Sequence, residues 1–243
     1  MAIIALAVLW EVASWFFPPF LFPPLGSIAR IYVEIVTTWA DFANAGATGL
    51  RILAGMTGAF VLGSIIAVLM AKYNRFYDYL FPILNFNQGI PALSWVVFAI
   101  IWFHGIEFRI FFIMVMTTLP AFTFQILDAI RSIPKDLMEM SQSFRPSRLD
   151  LLRTMILPAT VPGILTAWKV NIGNASRVVV VAELVGATGG VGYALMEQQQ
   201  NFDMAGAIAW TLVLVTFVLV MQFIISQLEA WLLRYRPQSE RTL

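Results

Sequence analysis

The residues that could do chemistry in this chain are few, and most lie inside long apolar runs where polar groups are costly. Within residues 157–184, Asn171, Asn174 and Arg177 follow one another at three-residue spacing, with Lys169 just before them. On a helix of about 3.6 residues per turn the three sweep an arc of roughly 120° and form one slanting polar stripe. A charge at the centre of a bilayer costs roughly 2.5–3.5 kcal/mol on insertion scales, so such groups usually face a cavity or another protein surface. The stripe is the candidate lining of a polar path, with Arg177 suited to hold an anionic group. The competing reading is a structural ion pair, Arg177 with Glu183 or with an acid from another span, and Lys169 is expected to snorkel toward the interface. A second polar cluster, Asn85, Asn87, Gln88, Gly89 and Pro91, must break regular helix because Pro91 has no amide donor. Broken backbone at membrane depth is tolerated where it is buried or lines a cavity, so Asn85 and Gln88 join the candidate path, with helix packing as the alternative.

Other chemistries are excluded by what is missing. The chain has no Cys and a single His, His104, which rules out disulfide frameworks and Cys/His metal sites; no bound metal and no nucleic-acid partner are expected. An intramembrane hydrolase would need that one imidazole, yet no Ser shares its face at helical spacing, and a surface role fits His104 better than a proton relay. There is no Gly-Lys dipeptide and no G-x-S-x-G elbow. The run Gly186-Ala187-Thr188-Gly189-Gly190-Val191-Gly192 resembles a phosphate loop only superficially, since it has no Lys. With Glu183 before it, it reads as a flexible re-entrant turn near an outer gate, with Gly189 and Gly190 as its pivots and 197–201 exposed beyond it. If nucleotide energy drives this protein, another subunit must supply it; no cofactor is expected on this chain.

The elements that carry these residues follow from composition. Of 243 residues, 60% are hydrophobic and only 12% charged, with 20 Phe and 8 Trp, too much apolar surface for so little charge to keep in water. The apolar runs lack the two-residue alternation of a barrel, so they read as helices. The expectation is an all-α integral membrane protein of about six transmembrane helices in a single domain, with spans near 3–17, 50–71, 79–103, 108–127, 157–184 and 204–228. The first run is short for a span, and it lacks the basic region and cleavage site of a signal peptide. Prolines at 18, 19, 23 and 24 end it. Ile28, Ile31, Tyr32, Ile35, Val36 and Trp39 then recur at helical spacing, as an amphipathic helix either at the interface or packed on the bundle. In the second span Gly55, Ala59, Gly63, Ala67 and Ala71 recur every fourth residue, a face for close helix approach or for a helix that slides.

The basic residues orient the bundle. Lys72, Arg75, Arg131, Lys135, Arg145, Arg148, Arg153, Arg234, Arg236 and Arg241 fall on one side and only Arg30, Arg51 and Arg109 on the other. The positive-inside rule puts both termini, the 72–78 loop and the 128–155 segment in the cytoplasm of a multi-pass inner-membrane protein. The 128–155 segment is too polar to enter the bilayer. Pro134 suits a first helical turn, Asp136 and Glu139 lie early in it, and Leu137, Met138, Met140, Ser141 and Phe144 give it a largely apolar surface. Arg145-Pro146 stops that helix, 147–155 resumes, and Leu157-Pro158 opens the next span. Physics alone leaves two readings, a docking element or an ordinary solvated loop.

The segment resembles a known motif. Met138-Glu139-Met140-Ser141, Ser147-Arg148, Arg153, Ile156-Leu157-Pro158-Ala159 and Pro162-Gly163-Ile164 look like the EAA loop of binding-protein-dependent ABC importer permeases, and more narrowly of the nitrate/sulfonate/taurine type. Further matches are Leu25-Gly26-Ser27, Ile101-Trp102-Phe103 with Gly105-Ile106, Leu127 with Ile133-Pro134, and Val181-Ala182-Glu183-Leu184 followed by Gly189-Gly190-Val191-Gly192-Tyr193. They fall in family order from about residue 20 to 235. The resemblance implies a type I importer, MetI-like fold: two permease subunits, expected here as a homodimer, two ATP-binding subunits that use ATP and Mg, and an extracytoplasmic solute-binding protein. It implies that Pro134–Arg145 is the coupling element to the ATPase, with Glu139 at the family's acidic position. It also implies a small oxyanion or organic anion such as nitrate, a sulfonate or taurine as solute, although related permeases carry vitamin precursors and pyrimidines. Arg145-Pro146 stands where the family usually has Gly, and Met140 and Ser141 replace its two alanines. This departure leaves room for an altered ATPase surface or a non-transporting scaffold or sensor.

Overall fold

A computed structural model describes residues 2–144 and 147–233, the side chains at 2, 3, 135, 142 and 148 apart. In chain order the helices are α1 (Ala2–Ser14), α2 (Leu25–Thr37), α3 (Trp39–Lys72), α4 (Asn74–Gly89), α5 (Ala92–Trp102), α6 (Ile106–Arg131), α7 (Lys135–Ser143), α8 (Arg148–Leu151), a π-helical turn Leu152–Ile156, α9 (Leu157–Gly186), α10 (Val191–Gln200) and α11 (Met204–Leu232). Among the described residues there is no strand.

Four of these elements are long and apolar enough to cross a membrane: α3, α6, α9 with its preceding turn, and α11. The third expected span is not one rod. Helices α4 and α5 meet at a 95° bend, because Pro91 offers no N–H and the Ile90 amide reaches back only to the Asn87 carbonyl, at 3.1 Å. The first expected span, over 3–17, is corrected to the 13-residue α1. At 1.5 Å per residue it covers about 20 Å, against roughly 30 Å of hydrocarbon. By length and composition the crossing elements number up to five, counting the bent pair as one.

Contacts between α3 and α6 fix the direction of that bent pair. Gly55 faces Met114 and Gly63 faces Phe122 and Thr123, while Arg51 reaches Glu107, so residue numbers rise together along both helices. Two parallel helices joined through α4 and α5 require that pair to cross back, which makes it a broken span. Helix α9 runs the other way: Gly163 meets Ala129, Asn171 meets Gln125 and Gly186 meets Arg109. Consequently α7 and α8 lie at one end of the bundle, with the α3–α4 turn, and the 187–203 segment lies at the other, with α2.

The every-fourth-residue small face of α3 is the packing seam. Gly55, Ala59, Gly63 and Ala67 are buried against α6, and a Cβ on Gly55 would stand 2.4 Å from Met114 Cβ. Phe60, Phe122 and Trp168 then tie α3, α6 and α9 together, with ring centroids 5.5 to 5.8 Å apart. Outward faces of α3 and α11 leave Leu50, Ile65, Leu219 and Phe223 exposed, as a lipid-facing surface requires. Helix α2 packs on the bundle, burying Ile28 and Ile35 in one cluster with Ala205, Ala209 and Trp210 of α11.

Candidate functional site

The polar stripe on α9 borders an open groove of about 790 Å³ between α4, α6, α9 and α11. Four of the five candidate path residues line it: Gln88, Asn171, Asn174 and Arg177. Asn85 does not; it is exposed on α4 outside that lining. The 120° arc carries Asn171 to the packed edge, where it is buried and its Nδ2 donates to Gln125 Oε1 and the Ala167 carbonyl, both at 2.9 Å. Asn174 and Arg177 stand on the open side. Gln125, Gln222 and Ser226 add further polar groups to the wall.

The two cations of the groove differ. Lys169 does not snorkel; its Nζ pairs with Glu229 of α11. Among the described residues no carboxylate pairs with Arg177. The candidate partner Glu183 is committed elsewhere: 0% exposed at its side chain, it accepts from Arg51 Nη1 at 2.7 Å. Helix rotation accounts for this, since Glu183 lies on the face of α9 turned toward α3, away from the groove.

Glu183 organises the opposite end of the bundle. Besides Arg51, Thr48 Oγ1 lies at 2.9 and 3.0 Å from its two oxygens, and the Gly192 N–H donates to Oε2 at 2.8 Å. The Val191 N–H donates to Thr48 Oγ1 at 2.8 Å. The carboxylate thus sits at the N-terminus of α10, where orphan amides and the helix dipole favour negative charge. Arg51 continues the chain of bonds to the Gly189 carbonyl at 2.7 Å and forks onto Glu107 through Nε and Nη2. The glycines are dictated by this fit. Gly190 holds φ +114°, and a Cβ there would lie 2.6 Å from Glu183 Oε1; at Gly192 a Cβ would lie 2.5 Å from the Val180 carbonyl. The turn expected to be flexible is instead pinned by a buried ion pair and direct backbone bonds.

The expected coupling element is a helix. Pro134 precedes α7, and its carbonyl accepts the Met138 amide at 3.2 Å. Leu137 and Met140 fall at i and i+3 on one face and are 48% and 57% exposed, and Phe144, in the turn just after the helix, is 80% exposed. Asp136 and Glu139 are exposed beside them, Met138 and Ser141 half-buried; Arg145 lies outside the described residues. Helix α8 starts with a capping pair, Ser147 Oγ donating to Asp150 Oδ2 at 2.6 Å and the Asp150 amide donating to Ser147 Oγ at 3.2 Å. A π-helical turn then joins it to α9.

Sequence reasoning missed Thr48 and Glu107, took Arg51 only as an outer-side cation, and missed Gln125, Gln222 and Ser226 in the groove and Glu229 beside Lys169. The hydrogen bonds that these residues make to other elements span 46 to 143 residues, beyond any helical period.

Comparison with known proteins agrees with this architecture. Residues 59–234 match the family model described as binding-protein-dependent transport system inner membrane component. A probable ABC transporter permease protein of Haemophilus influenzae is 26% identical over 94% of this chain and 91% of its own length. The formylaminopyrimidine transport permease protein ThiX of Halalkalibacterium halodurans is 25% identical over 96% and 93%. The taurine transport system permease protein TauC of Escherichia coli is 25% identical over 78% and 71%. A solved chain of the inward-facing MetNI methionine ABC transporter superposes with a TM-score of 0.72, at 20% identity, over 80% of this chain and 96% of that one. The chain therefore belongs to the binding-protein-dependent transport system inner membrane components, as an importer permease subunit with the type I importer fold.

Proposed function

We propose that two copies of this chain form the membrane path of an ATP-driven importer, each groove supplying half of the lining, and that alternating access moves a small solute inward. A pair of ATP-binding subunits hydrolyses ATP with Mg; this chain is not itself an enzyme. The α7–α8 end of the bundle faces the cytoplasm, in keeping with ten of thirteen loop and terminal cations on that side; with five crossings rather than the six expected, α1 then lies on the outer side. The 187–203 segment faces outward, toward an extracytoplasmic solute-binding protein.

The single observation that carries this reading is α7: a short rod with Leu137 and Met140 exposed on one face and Phe144 exposed just after it, joined through α6 and α9 to both walls of a polar groove. Apolar side chains so exposed in water are an interaction surface, and a partner gripping the rod would turn its motion into movement of the two helices. The occupant is the ATP-binding subunit. Reconstitution with that subunit and the binding protein should give solute-stimulated ATP turnover and uptake. ATP turnover that never responds to solute, with no accumulation, supports a scaffold or sensor instead.

For the solute, a small oxyanion or organic anion such as nitrate, a sulfonate or taurine fits a groove with an uncompensated Arg177 and several amides. A pyrimidine precursor is the second reading, favoured by the ThiX relative, whose match spans nearly all of both chains. Parallel uptake of labelled taurine, nitrate and formylaminopyrimidine separates the two.

A further inference from the structure

The groove holds two cations in different electrostatic states, and the difference is directional. Arg177 and Lys169 are eight residues apart on α9, so they stand about 12 Å apart along its axis. Lys169 is nearer the α7 end. Arg177 is exposed and, among the described residues, unpaired. Lys169 is already neutralised by Glu229, and both side chains of that pair are partly open, 29% and 28% exposed. An ion pair in contact with water is weak, because solvent screens it and two long side chains lose freedom in making it. A competing anion can therefore displace it, which is not true of the buried Arg51–Glu183 pair at the other end.

We infer that Lys169 and Glu229 form an exchangeable second station for a negatively charged solute: the anion leaves Arg177, takes Glu229's place on Lys169, and is expelled when Glu229 returns. This deepens the proposed transport reading and rests on it. Lys169 and Glu229 act as specificity-determining and release residues. With Glu229 in place, the inner end of the groove carries no net charge and no longer retains an anion. Gln222, whose Nε2 reaches the Lys169 carbonyl at 3.4 Å, keeps α11 in register with this station. A neutral solute neither competes with Glu229 nor is repelled by it.

The test uses the full complex with its ATP-binding subunit and binding protein. Retention of labelled nitrate in detergent and its uptake into proteoliposomes are both measured. Glu229→Gln leaves Lys169 as a second free cation, so the solute should be retained about five-fold more tightly while the maximal uptake rate falls by a similar factor, the order an exposed pair controls. Lys169→Gln/Glu229→Gln, which leaves no lone charge behind and guards against misfolding, should slow uptake without tighter retention. A merely structural pair would lower thermal stability and leave retention unchanged. Wild-type uptake with both variants at wild-type constants overturns the station alone. A wild-type complex that hydrolyses ATP yet accumulates no anionic or pyrimidine solute overturns the transport reading and the station with it. Equal sensitivity of formylaminopyrimidine and nitrate to Glu229→Gln would also sink the charge-exchange step.

Discussion

Asn87 donates from Nδ2 to the Met116 carbonyl across the α4–α6 interface, at 3.1 Å. That carbonyl stands four residues before Pro120, which lies inside α6 and has no N–H to give. The proline therefore strips Met116 of its helical partner, and an amide on the neighbouring helix replaces it. One residue of the polar cluster before the break is thus explained by packing, while Gln88, one position on, lines the groove.

Asn87→Leu should destabilise the permease by about 1 kcal/mol, the low end of the penalty for an unpaired carbonyl, because this one is only partly buried. The readout is the thermal unfolding midpoint in detergent. A midpoint equal to wild type would mean that Met116 finds another donor.

Glu183→Ala should be among the most damaging single changes. It leaves the largely buried Arg51 guanidinium with Glu107, which is 70% exposed, as its one remaining carboxylate among the described residues, and removes the acceptor for Gly192 and Thr48. Breaking a buried pair in this way costs about 3–5 kcal/mol. Gly190→Ala should act in the same direction through its φ of +114° and its overlap with Glu183. Membrane expression and thermal midpoints of both variants check this, and full stability in either would contradict a pinned α10.

Gly55→Val and Gly46→Val provide a paired test of the α3 seam. A Cβ at Gly55 collides with Met114, whereas nothing lies within 4 Å of one at Gly46. The first should cost roughly 1–3 kcal/mol or more by overpacking and the second little. Similar behaviour of the two in unfolding measurements would remove the seam argument.

Leu137→Asp or Glu139→Lys should release the ATP-binding subunit, or uncouple its turnover from uptake, while leaving membrane insertion of this chain intact. Co-purification of the subunit and solute-stimulated ATPase activity are the measurements. Unchanged uptake in both variants would count heavily against α7 as the docking rod.

Much of the architecture follows from local rules that a sequence displays openly. Apolar runs and helical periodicity gave the long spans and α2, the four-residue spacing of glycine and alanine gave the α3 seam, and Pro91 and Pro134 marked a break and a start. Each depends on neighbours a few residues away. The three-residue spacing of Asn171, Asn174 and Arg177 likewise put them on one slanting strip of α9. Span length was less legible: 3–17 is apolar enough, but the proline turn after it leaves α1 too short to cross by itself.

What only the folded chain decided was which charge meets which. Arg177 had Glu183 six residues away as a conceivable partner, and packing assigned that carboxylate to Arg51, 132 residues earlier. Lys169 looked free to reach the interface until α11 brought Glu229 beside it. Ion pairs between helices depend on the rotation and depth at which the helices dock, and those are set by the fit of glycines such as Gly55 and Gly163 against Met114 and Ala129. Sequence determined that this chain crosses a membrane as helices with a polar stripe and a short rod between two of the spans; tertiary structure alone determined which end of that stripe carries a free cation and which a neutralised one.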